Sequence, residues 1–266
     1  MSNPAWEHAN AWITFETDMN RVLAPVTDLL LDHAGGVSGA QVLDIGCGTG
    51  AVSFAFADAG AVVTASDVSE SFLAHIDPDP RVTTLLADAQ TAAWPGLHDL
   101  VISRFGVMFF NDPAAAFVNM AKALKPGGRM LFATWGPYRE NPWFHTPNAA
   151  AADFFKVEAV APPPHASGPF GLSDKAWALE MIKNPLLTEV ACTNVDLYLS
   201  HPDGVYAAAD LTTRIGFPAR LLRERSGDGE TRLGLTRRVA DELSEYAENG
   251  QMRIPARLYL YSAKRA

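Results

Sequence analysis

The sequence predicts an α/β protein with a mostly parallel sheet and helices on both faces of that sheet. Two observations support this class. Short apolar runs recur between residues 41 and 135, and segments with helical spacing of apolar residues separate them. The first run continues into three alternate glycines, in "VLDIGCGTG" (42–50). Strands that alternate with helices form βαβ units, in which the strands lie parallel and the helices cover the sheet.

Five buried strands are predicted in this region from apolar content and from the turn residues that bound each run. They are 41–45, 61–67, 81–87, 99–104 and 128–135. Helices are predicted between them at 51–59, 69–76 and 112–124. The last of these begins with Asp112 as N-cap and Pro113 at the first helical position, and it ends before Gly127 and Gly128, which is typical of a helix start and stop.

The flanking regions are less regular. Before the first strand, the apolar spacing in 18–34 predicts a helix, with Leu23, Val26, Leu29 and Leu30 on one side, after an aromatic-rich arm (Trp6, Trp12, Phe15). After the fifth strand we expect a loop at 137–147, a helix at 148–160, a Pro/Gly-rich loop at 161–173 and a helix at 174–184. Strands at 193–199 and 255–263 and two or three helices within 203–249 complete the prediction.

Composition narrows the function classes. The chain has 266 residues and a formal net charge of −9, which weighs against nucleic acid as a partner, because such binding relies on neutralising phosphates. No apolar stretch reaches the length of a membrane span, and the first residues lack the pattern of a secretory signal. The two cysteines do not suggest a disulfide framework, and no H-x-x-x-H or C-x-x-C spacing suggests a metal. A cytoplasmic location is expected.

The glycine run predicts a ligand site. Glycine has no Cβ and tolerates positive φ, so a strand that passes through Gly46, Gly48 and Gly50 can approach a ligand closely. Nucleotide-like ligands bind at the carboxyl ends of such strands. Spacing alone leaves NAD open, because Ala51 stands three residues after Gly48, where the dinucleotide fingerprint accepts glycine or alanine.

"DIGCGTG" (44–50) resembles the first motif of class I S-adenosylmethionine (SAM)-dependent methyltransferases. Asp67 at the end of the second predicted strand, "LLADAQ" (85–90) and "DLVISRFGVMFFNDPAAAFVNMAKALKPGGRMLFATW" (99–135) resemble further segments of this family in the same order. The later segments "ENPWF" and "GPFGLSD" are similar to its broad bacterial branch related to ubiquinone and menaquinone C-methyltransferases.

This resemblance implies a Rossmann-like fold with a seven-stranded, mostly parallel sheet in which the last strand inserts antiparallel. It also implies SAM as cofactor and S-adenosylhomocysteine as product. The three glycines would make room for the methionine part, Asp67 would hold the ribose hydroxyls, and Asp88 with Ala89 would flank the adenine. A carboxylate suits the ribose because it can accept hydrogen bonds from two vicinal hydroxyls.

Further cofactor contacts are expected around these positions. Arg104 and Phe105 would border the methyl group, and Arg21 and Trp12 would close the amino-acid end. The remaining expected contacts are Cys47, Val68 and Asp44. Asp44 either contacts the cofactor's amino group or only accepts hydrogen bonds from loop amides.

Aromatic residues after the fourth and fifth strands suggest an apolar or aromatic small-molecule acceptor, although any one of them can instead pack the core. The expected acceptor-binding residues are Met108, Trp135, Tyr138, Trp143, Phe144 and Phe170. In-line methyl transfer relies on proximity, so a base is not obligatory; His145 is the first candidate if one is used. The sequence "SRFG" replaces the [DNS]-P-P-[YFW] motif typical of amide and base-amino methylation.

We expect a single domain over 1–266, made of an N-terminal helical arm (1–39), a SAM-binding core (40–135) and a substrate-side region (136–266) in which a helical insertion (203–249) caps the acceptor pocket. The predicted function is methyl transfer from SAM to a small-molecule O, N or C nucleophile. A protein or peptide methyltransferase and a non-catalytic SAM-binding module stay open as alternatives. The full motif set disfavours an NAD-dependent enzyme.

Overall fold

The structure is a computed structural model that describes residues 9–163 and 165–266, so Trp6 of the predicted arm lies outside the described residues. The helices are α1 (Ala9–Thr14), α2 (Glu16–Ala34), α3 (Ala51–Asp58), α4 (Glu70–Leu73), α5 (Pro113–Ala123), α6 (Pro142–Phe154), α7 (Lys175–Ile182), α8 (Gly204–Thr212), α9 (Phe217–Glu224) and α10 (Gly229–Leu243). The strands are β1 (Gln41–Ile45), β2 (Val62–Asp67), β3 (Val82–Leu86), β4 (His98–Arg104), β5 (Leu124–Trp135), β6 (Leu187–His201), β7 (Ala247–Glu248) and β8 (Gln251–Arg265).

The strands form one sheet in the order β3-β2-β1-β4-β5-β8-β6. The pairs among β1 to β5 are all parallel, while β8 is antiparallel to both β5 and β6. The prediction of a mostly parallel sheet whose last strand inserts antiparallel is therefore confirmed. In such a sheet the carboxyl ends of β1, β2, β4 and β5 meet at one edge, which is where ligands bind in α/β folds.

The described sheet has eight strands and not the predicted seven. The additional strand, β7, is two residues long and pairs with the start of β8, with Glu248 opposite Gln251. The two residues between them, Asn249 and Gly250, have φ of 51° and 82°. Positive φ at both positions is the requirement of a type I′ hairpin turn, for which Asn-Gly is the preferred sequence.

Helix α2 packs on the sheet through an apolar stripe. Val22, Leu23, Val26 and Leu30 are all at most 2% exposed, whereas Leu29, predicted on the same side, is only partly buried. The spacing of the buried four follows the helical period. The stripe anchors the N-terminal part of the chain on β4, β5 and β6, against which α2 packs.

The segment 137–147 is not the predicted loop, because α6 begins at Pro142 and carries Trp143, Phe144 and His145 in its first turn. Proline suits the first helical position, since its missing N–H would be unpaired there. The preceding Asn141 is buried; its Nδ2 donates to the carbonyls of Pro137 and Arg257. The start of α6 is thereby fixed against β8.

Helix α6 also ends earlier than predicted, at Phe154. Lys156 has φ 54°, and the N–H groups of Lys156 and Val157 donate to the carbonyls of Asp153 and Ala152. This pattern is a Schellman motif, in which a left-handed residue terminates the helix. Helix α4 is likewise shorter than the predicted 69–76, while β6 and β8 extend beyond their predicted ends because they pair with each other over nearly their whole length.

Three helices, α8, α9 and α10, occupy the predicted helical segment 203–249. None of the helices in 9–163 and 165–266 combines the length and the apolar character that crossing a bilayer requires.

Candidate active site

A cavity of about 400 Å³ lies at the carboxyl ends of β1, β2, β4 and β5. One side of its wall is formed by the glycine loop after β1, by Asp67 and by Arg104. The wall also includes residues of α6, of the segment from the end of α8 to the start of α9, and Trp12 of α1. The volume is in the range of small-molecule and cofactor sites, which span roughly 300–1,000 Å³.

The three glycines of the loop have different surroundings, although all have positive φ. A Cβ on Gly46 would stand 2.7 Å from the Cα of Gly106, and one on Gly50 would stand 3.2 Å from the side chain of Ile76. A Cβ on Gly48 would meet no atom within 4 Å. Gly46 and Gly48 line the cavity. Of the three, only Gly48 leaves open space, and Gly46 instead permits close packing of two loops.

Asp67 ties the end of β2 to the glycine loop. Its Oδ2 accepts a hydrogen bond from the Gly48 N–H at 2.9 Å, and its Oδ1 accepts one from the Ser69 N–H at 2.9 Å. The side chain lines the cavity and is only 3% exposed. Burial raises the pKa of Asp67, while the backbone N–H groups oppose that shift. Each carboxylate oxygen keeps a further lone pair for a ligand hydroxyl.

Asp44 lies deeper in the wall, 1% exposed. Its Oδ2 accepts a hydrogen bond from Ser53 Oγ of α3 at 2.7 Å. Burial raises the pKa of Asp44 to about 6, and the Ser53 hydrogen bond and the charge of Arg104 limit the shift. The expected bonds from loop amides to Asp44 are not among the described hydrogen bonds. The partner Ser53 is a polar residue on the buried side of α3, which the sequence analysis did not single out.

Arg104 places a buried cation beside Asp44. Its Nη1 donates to Thr27 Oγ1 at 2.9 Å and its Nη2 donates to Asn20 Oδ1 at 2.8 Å, both on α2. Burial lowers the pKa of Arg104 to about 10, and the negative charge of Asp44 opposes this. Within the described residues, the guanidinium makes no ion pair at salt-bridge distance. A carboxylate ligand at this wall could therefore form the direct ion pair that the guanidinium lacks.

Two aromatic rings, which we call the aromatic platform, line the cavity where β4 and β5 end. The rings of Phe105 and Trp135 stack with centroids 4.4 Å apart and planes 4° from parallel. Phe105 has φ 71°, a left-handed conformation that is unfavourable for a side chain of this size. Its N–H donates to the Ala133 carbonyl. The strain is located where β4 ends, at the cavity wall.

Aromatic contacts continue from the platform along α6 and the Pro/Gly-rich loop. Phe144 meets Trp135 edge to face at 4.9 Å, and Phe170 meets Phe144 at 5.0 Å. Tyr138 meets Phe170 at 5.2 Å. Such edge-to-face pairs fix ring orientation, so Phe170 and Tyr138 support from outside the wall the part of the cavity that Trp135, Trp143 and Phe144 line, which we call the aromatic chamber.

Most of the predicted site residues lie together in the cavity wall. The predicted residues that line it are Trp12, Asp44, Gly46, Cys47, Gly48, Asp67, Arg104, Phe105, Met108, Trp135, Trp143 and Phe144. Cys47 is a neutral thiol there, because burial raises its pKa. The predicted residues that do not line the cavity are Arg21, Gly50, Val68, Asp88, Ala89, Tyr138, His145 and Phe170.

The residues outside the wall have identifiable surroundings. Arg21 donates to Asp203 Oδ2 at 3.1 Å at the surface, and its predicted contact with the amino-acid end of the cofactor stays a prediction. Val68 is 43% exposed. Asp88 is exposed, and its Oδ1 accepts from the Gln90 N–H at 2.9 Å.

His145 also lies outside the wall, on the first turn of α6. Its ring meets Tyr138 edge to face at 6.2 Å. Burial lowers the pKa of His145, against the charge of Glu245. This position does not bring the imidazole to the cavity, so the geometry gives no support to its predicted role as general base.

Sequence reasoning missed a second set of wall residues. They are Met19, Leu23, Thr49, Val52, Phe72, Gly106, Phe109, Pro147, Asn148, Pro169, Leu211, Thr212, Ile215, Gly216, Phe217 and Pro218. Those from α6, α8 and α9 belong to helices far from the glycine loop in sequence, and no local pattern marks them as ligand-facing. Asn148 follows Phe144 by four residues and so shares its helix face, which is a signal that could have identified it.

Comparison with known proteins agrees with this geometry. Residues 43–132 match the family model described as a methyltransferase domain. The chain is 35% identical over 118 residues to a demethylmenaquinone methyltransferase of Renibacterium salmoninarum, covering 42% of this chain and 50% of that protein. It is 37% identical over 114 residues to a ubiquinone biosynthesis O-methyltransferase of Idiomarina loihiensis, covering 39% and 45%. The chain thus spans about half the length of these curated relatives.

A solved structure shows the same fold. Phosphoethanolamine N-methyltransferase 2 of Haemonchus contortus, in complex with S-adenosyl-L-methionine, matches with a TM-score of 0.55 and 18% identity, covering 91% of this chain and 52% of that one. The sheet order and these matches define a class I methyltransferase fold. Residues 43–132 form a methyltransferase domain related to that of the ubiquinone and menaquinone methyltransferases, which confirms the predicted resemblance.

Proposed function

We propose that this protein transfers a methyl group from SAM to a small, apolar or aromatic acceptor. The observation that carries the proposal is a single cavity. Its wall includes the glycine loop with Asp67, the platform of Phe105 and Trp135, and the aromatic chamber. A methyl donor and an acceptor can meet only if their sites are continuous. The names of the curated relatives, which are quinone methyltransferases, support the same class of reaction.

The residues of the polar side fit the parts of SAM. The open space over Gly48 would admit the ligand beside the main chain, and Asp67 would accept hydrogen bonds from the ribose hydroxyls. The buried guanidinium of Arg104 would compensate a carboxylate, and Asp44 would face an ammonium group. Trp12 would cover this end. Contacts of Val68, Asp88, Ala89 and Arg21 with the cofactor remain predictions, as does a contribution of Gly50 and Cys47.

SAM, when bound, supplies a methyl group on a sulfonium that a nucleophile displaces in line. The contribution of the chain is then to hold the acceptor against the platform of Phe105 and Trp135 and to exclude water. Aromatic faces also favour a nearby cation by roughly 0.5–2 kcal/mol. We propose that orientation and desolvation carry the reaction and that His145 is not its base.

The alternatives are disfavoured by the shape and lining of the cavity. A protein or peptide acceptor is disfavoured because α6 and the α8–α9 segment line the acceptor side with apolar residues, and the cavity volume of about 400 Å³ suits a small molecule. A non-catalytic SAM-binding module would need only the polar side of the cavity, so the aromatic chamber beside it favours an enzyme. An NAD-dependent enzyme is disfavoured because the family match covers the glycine loop itself.

Titration calorimetry with SAM, S-adenosylhomocysteine and NAD tests the proposal. We expect binding of the first two ligands at micromolar concentration and no binding of NAD. Methyl transfer from isotope-labelled SAM to a panel of aromatic acceptors then tests turnover. Absence of SAM binding would overturn the proposal, and SAM binding without turnover on any acceptor of the panel would favour the non-catalytic module.

A further inference from the structure

The charges in the cavity wall are confined to its polar side. Among the described residues that line the cavity, the acidic and basic ones are Asp44, Asp67 and Arg104, which lie at the carboxyl ends of β1, β2 and β4. The wall from β5 onward carries no such group. Apart from indole N–H groups, its polar side chains are Asn148 and Thr212. A charged acceptor would lose its hydration there with nothing to compensate it.

Of these two polar residues, Thr212 is already engaged, because its Oγ1 donates to the Ala209 carbonyl at 2.9 Å. Asn148 has one described hydrogen bond, from its Nδ2 to the hydroxyl of Tyr138 at 3.1 Å. An amide side chain offers two donor hydrogens and a carbonyl oxygen. The Asn148 carbonyl oxygen and one amide hydrogen therefore have no partner within the described part of the chain.

Tyr138 holds Asn148 in place without introducing charge. Burial raises the pKa of Tyr138, so the phenol stays neutral at physiological pH. Its ring is fixed edge to face by Phe170 at 5.2 Å and by His145 at 6.2 Å. Because a phenol both donates and accepts, the contact with Asn148 holds in either orientation of the amide.

Asn148 is also placed next to the aromatic platform. It lies four residues after Phe144 on α6, so both side chains project from the same face of the helix. Phe144 in turn meets Trp135, which stacks on Phe105. A flat ring packed in this chamber would therefore have a neutral hydrogen-bonding group at the Asn148 end.

We propose that Asn148, positioned by Tyr138, determines acceptor specificity by a hydrogen bond to a neutral oxygen substituent, a hydroxyl or a carbonyl, on an apolar ring. This inference rests on the proposed function, because it assigns the acceptor class of the same site. It excludes acceptors that carry a carboxylate or phosphate on the part held in the chamber. Such a group would face Asn148 and aromatic rings, with no basic residue in that part of the described wall.

The test measures binding and needs no turnover. Equilibrium dialysis in the presence of saturating S-adenosylhomocysteine would give dissociation constants for 2-naphthol, naphthalene and 2-naphthoate. For the wild type we expect 2-naphthol to bind about three- to tenfold more tightly than naphthalene, the gain typical of one neutral hydrogen bond. We expect 2-naphthoate to bind at least about tenfold more weakly than 2-naphthol, because its charge is uncompensated.

Variants test whether Asn148 and Tyr138 cause the preference for 2-naphthol over naphthalene. Asn148→Leu should remove the preference for 2-naphthol and change naphthalene binding by less than about twofold, since leucine has the same branched shape and the same number of side-chain heavy atoms. Tyr138→Phe should reduce the preference in part, because it frees Asn148 without removing it. Asn194→Leu is the matched control, since Asn194 lies exposed on β6 and accepts a hydrogen bond from Lys175 Nζ.

The outcomes separate the inference from the proposed function. A wild type that fails to bind S-adenosylhomocysteine contradicts the proposed function. If that ligand binds, the inference is wrong in any of three cases: the wild type shows no preference for 2-naphthol, 2-naphthoate binds most tightly, or none of the three compounds is retained. A preference that persists in Asn148→Leu also contradicts it. If Asn148→Leu no longer binds S-adenosylhomocysteine, the preference for 2-naphthol over naphthalene is measured in Tyr138→Phe and Asn148→Ala instead. A preference that is unchanged in both variants contradicts the inference.

Discussion

Gly106 packs directly on the carbonyl of Ile45, so that a Cβ on Gly106 would stand 2.6 Å from that oxygen. The loop after β4 and the glycine loop after β1 thus meet at main-chain atoms, and Ser103 Oγ joins the same place by donating to the Ile45 carbonyl and accepting from the Gly106 N–H. Both loops line the cavity, and the adjacent strands that lead into them carry Asp44 and Arg104 at their carboxyl ends.

Gly106→Ala should therefore destabilise the protein and weaken SAM binding together. An inserted methyl group that meets backbone forces the loops apart, at a cost of about 1–3 kcal/mol in unfolding free energy. Urea denaturation and SAM titration would measure the two effects. The control is Gly36→Ala, where the added Cβ would meet nothing within 4 Å. Equal stability of the two variants would contradict the role assigned to this contact.

Asp67→Asn should weaken SAM binding at least about tenfold, because an amide has one oxygen acceptor where the carboxylate has two. The two backbone N–H groups that Asp67 now accepts from would compete for the remaining oxygen. Titration calorimetry with SAM measures the effect. Asp77→Asn, at an exposed position ten residues further on, is the control. Unchanged affinity in Asp67→Asn would remove the basis of the ribose assignment.

Asp44 should make stability depend on pH in a defined direction. Its pKa in the folded protein is raised to about 6 from 3.8, so between these values the folded state binds more protons than the unfolded state. Stability contributed by this group is present at low pH and is lost as the pH rises from about 4 to 6. The shift of about two units corresponds to roughly 3 kcal/mol.

Asp44→Asn should consequently be more stable than the wild type at pH 7.5, by up to roughly 3 kcal/mol, and nearly equal to it at pH 4. Urea denaturation of both proteins at each pH gives the difference in their unfolding free energies. The contributions of the other titrating groups are common to both proteins and cancel in this difference. A difference that is constant with pH would show that burial does not raise the pKa of Asp44. The same variant should bind SAM more weakly, since it removes a charge from the polar side of the cavity.

His145→Gln distinguishes orientation from base catalysis. If orientation and desolvation carry the reaction, kcat should fall by less than about threefold, whereas loss of a general base costs about 10²–10⁴-fold. The measurement is the pH profile of methyl transfer in both proteins. A large loss, together with disappearance of a pH-dependent limb near neutrality, would restore the base role predicted from the sequence.

The sequence predicted the core of the fold well because the relevant signals are local. Buried parallel strands appear as continuous apolar runs, and Asp67 stands directly at the end of such a run. The positive φ values of the glycine loop follow from the residue type itself. Predicted and observed bounds of β1 coincide, and those of β2 and β4 differ by one residue.

What the sequence did not predict depends on contacts between distant segments. The segment around Trp143 resembled a loop because two prolines flank it, yet α6 begins there and is held by bonds of Asn141 to β8. Phe217 and Asn148 reach the cavity only through the packing of α6 and α9. The roles of Gly46 and Gly106 depend on each other, and neither is visible without the other. The Asn-Gly turn before β8 was present in the sequence as a local signal but was not used.

The position of β8 has a consequence for how the protein is made. Residues 251–265 lie between β5 and β6, and β6 has no other strand partner in the described sheet. On the ribosome, a nascent chain that has not yet released these residues can pair β1 to β5 but leaves β6 without a neighbour. The part of the sheet from β1 to β5, which carries the glycine loop, can therefore fold during translation. The part formed by β6 and β8 can form only once translation has passed residue 265.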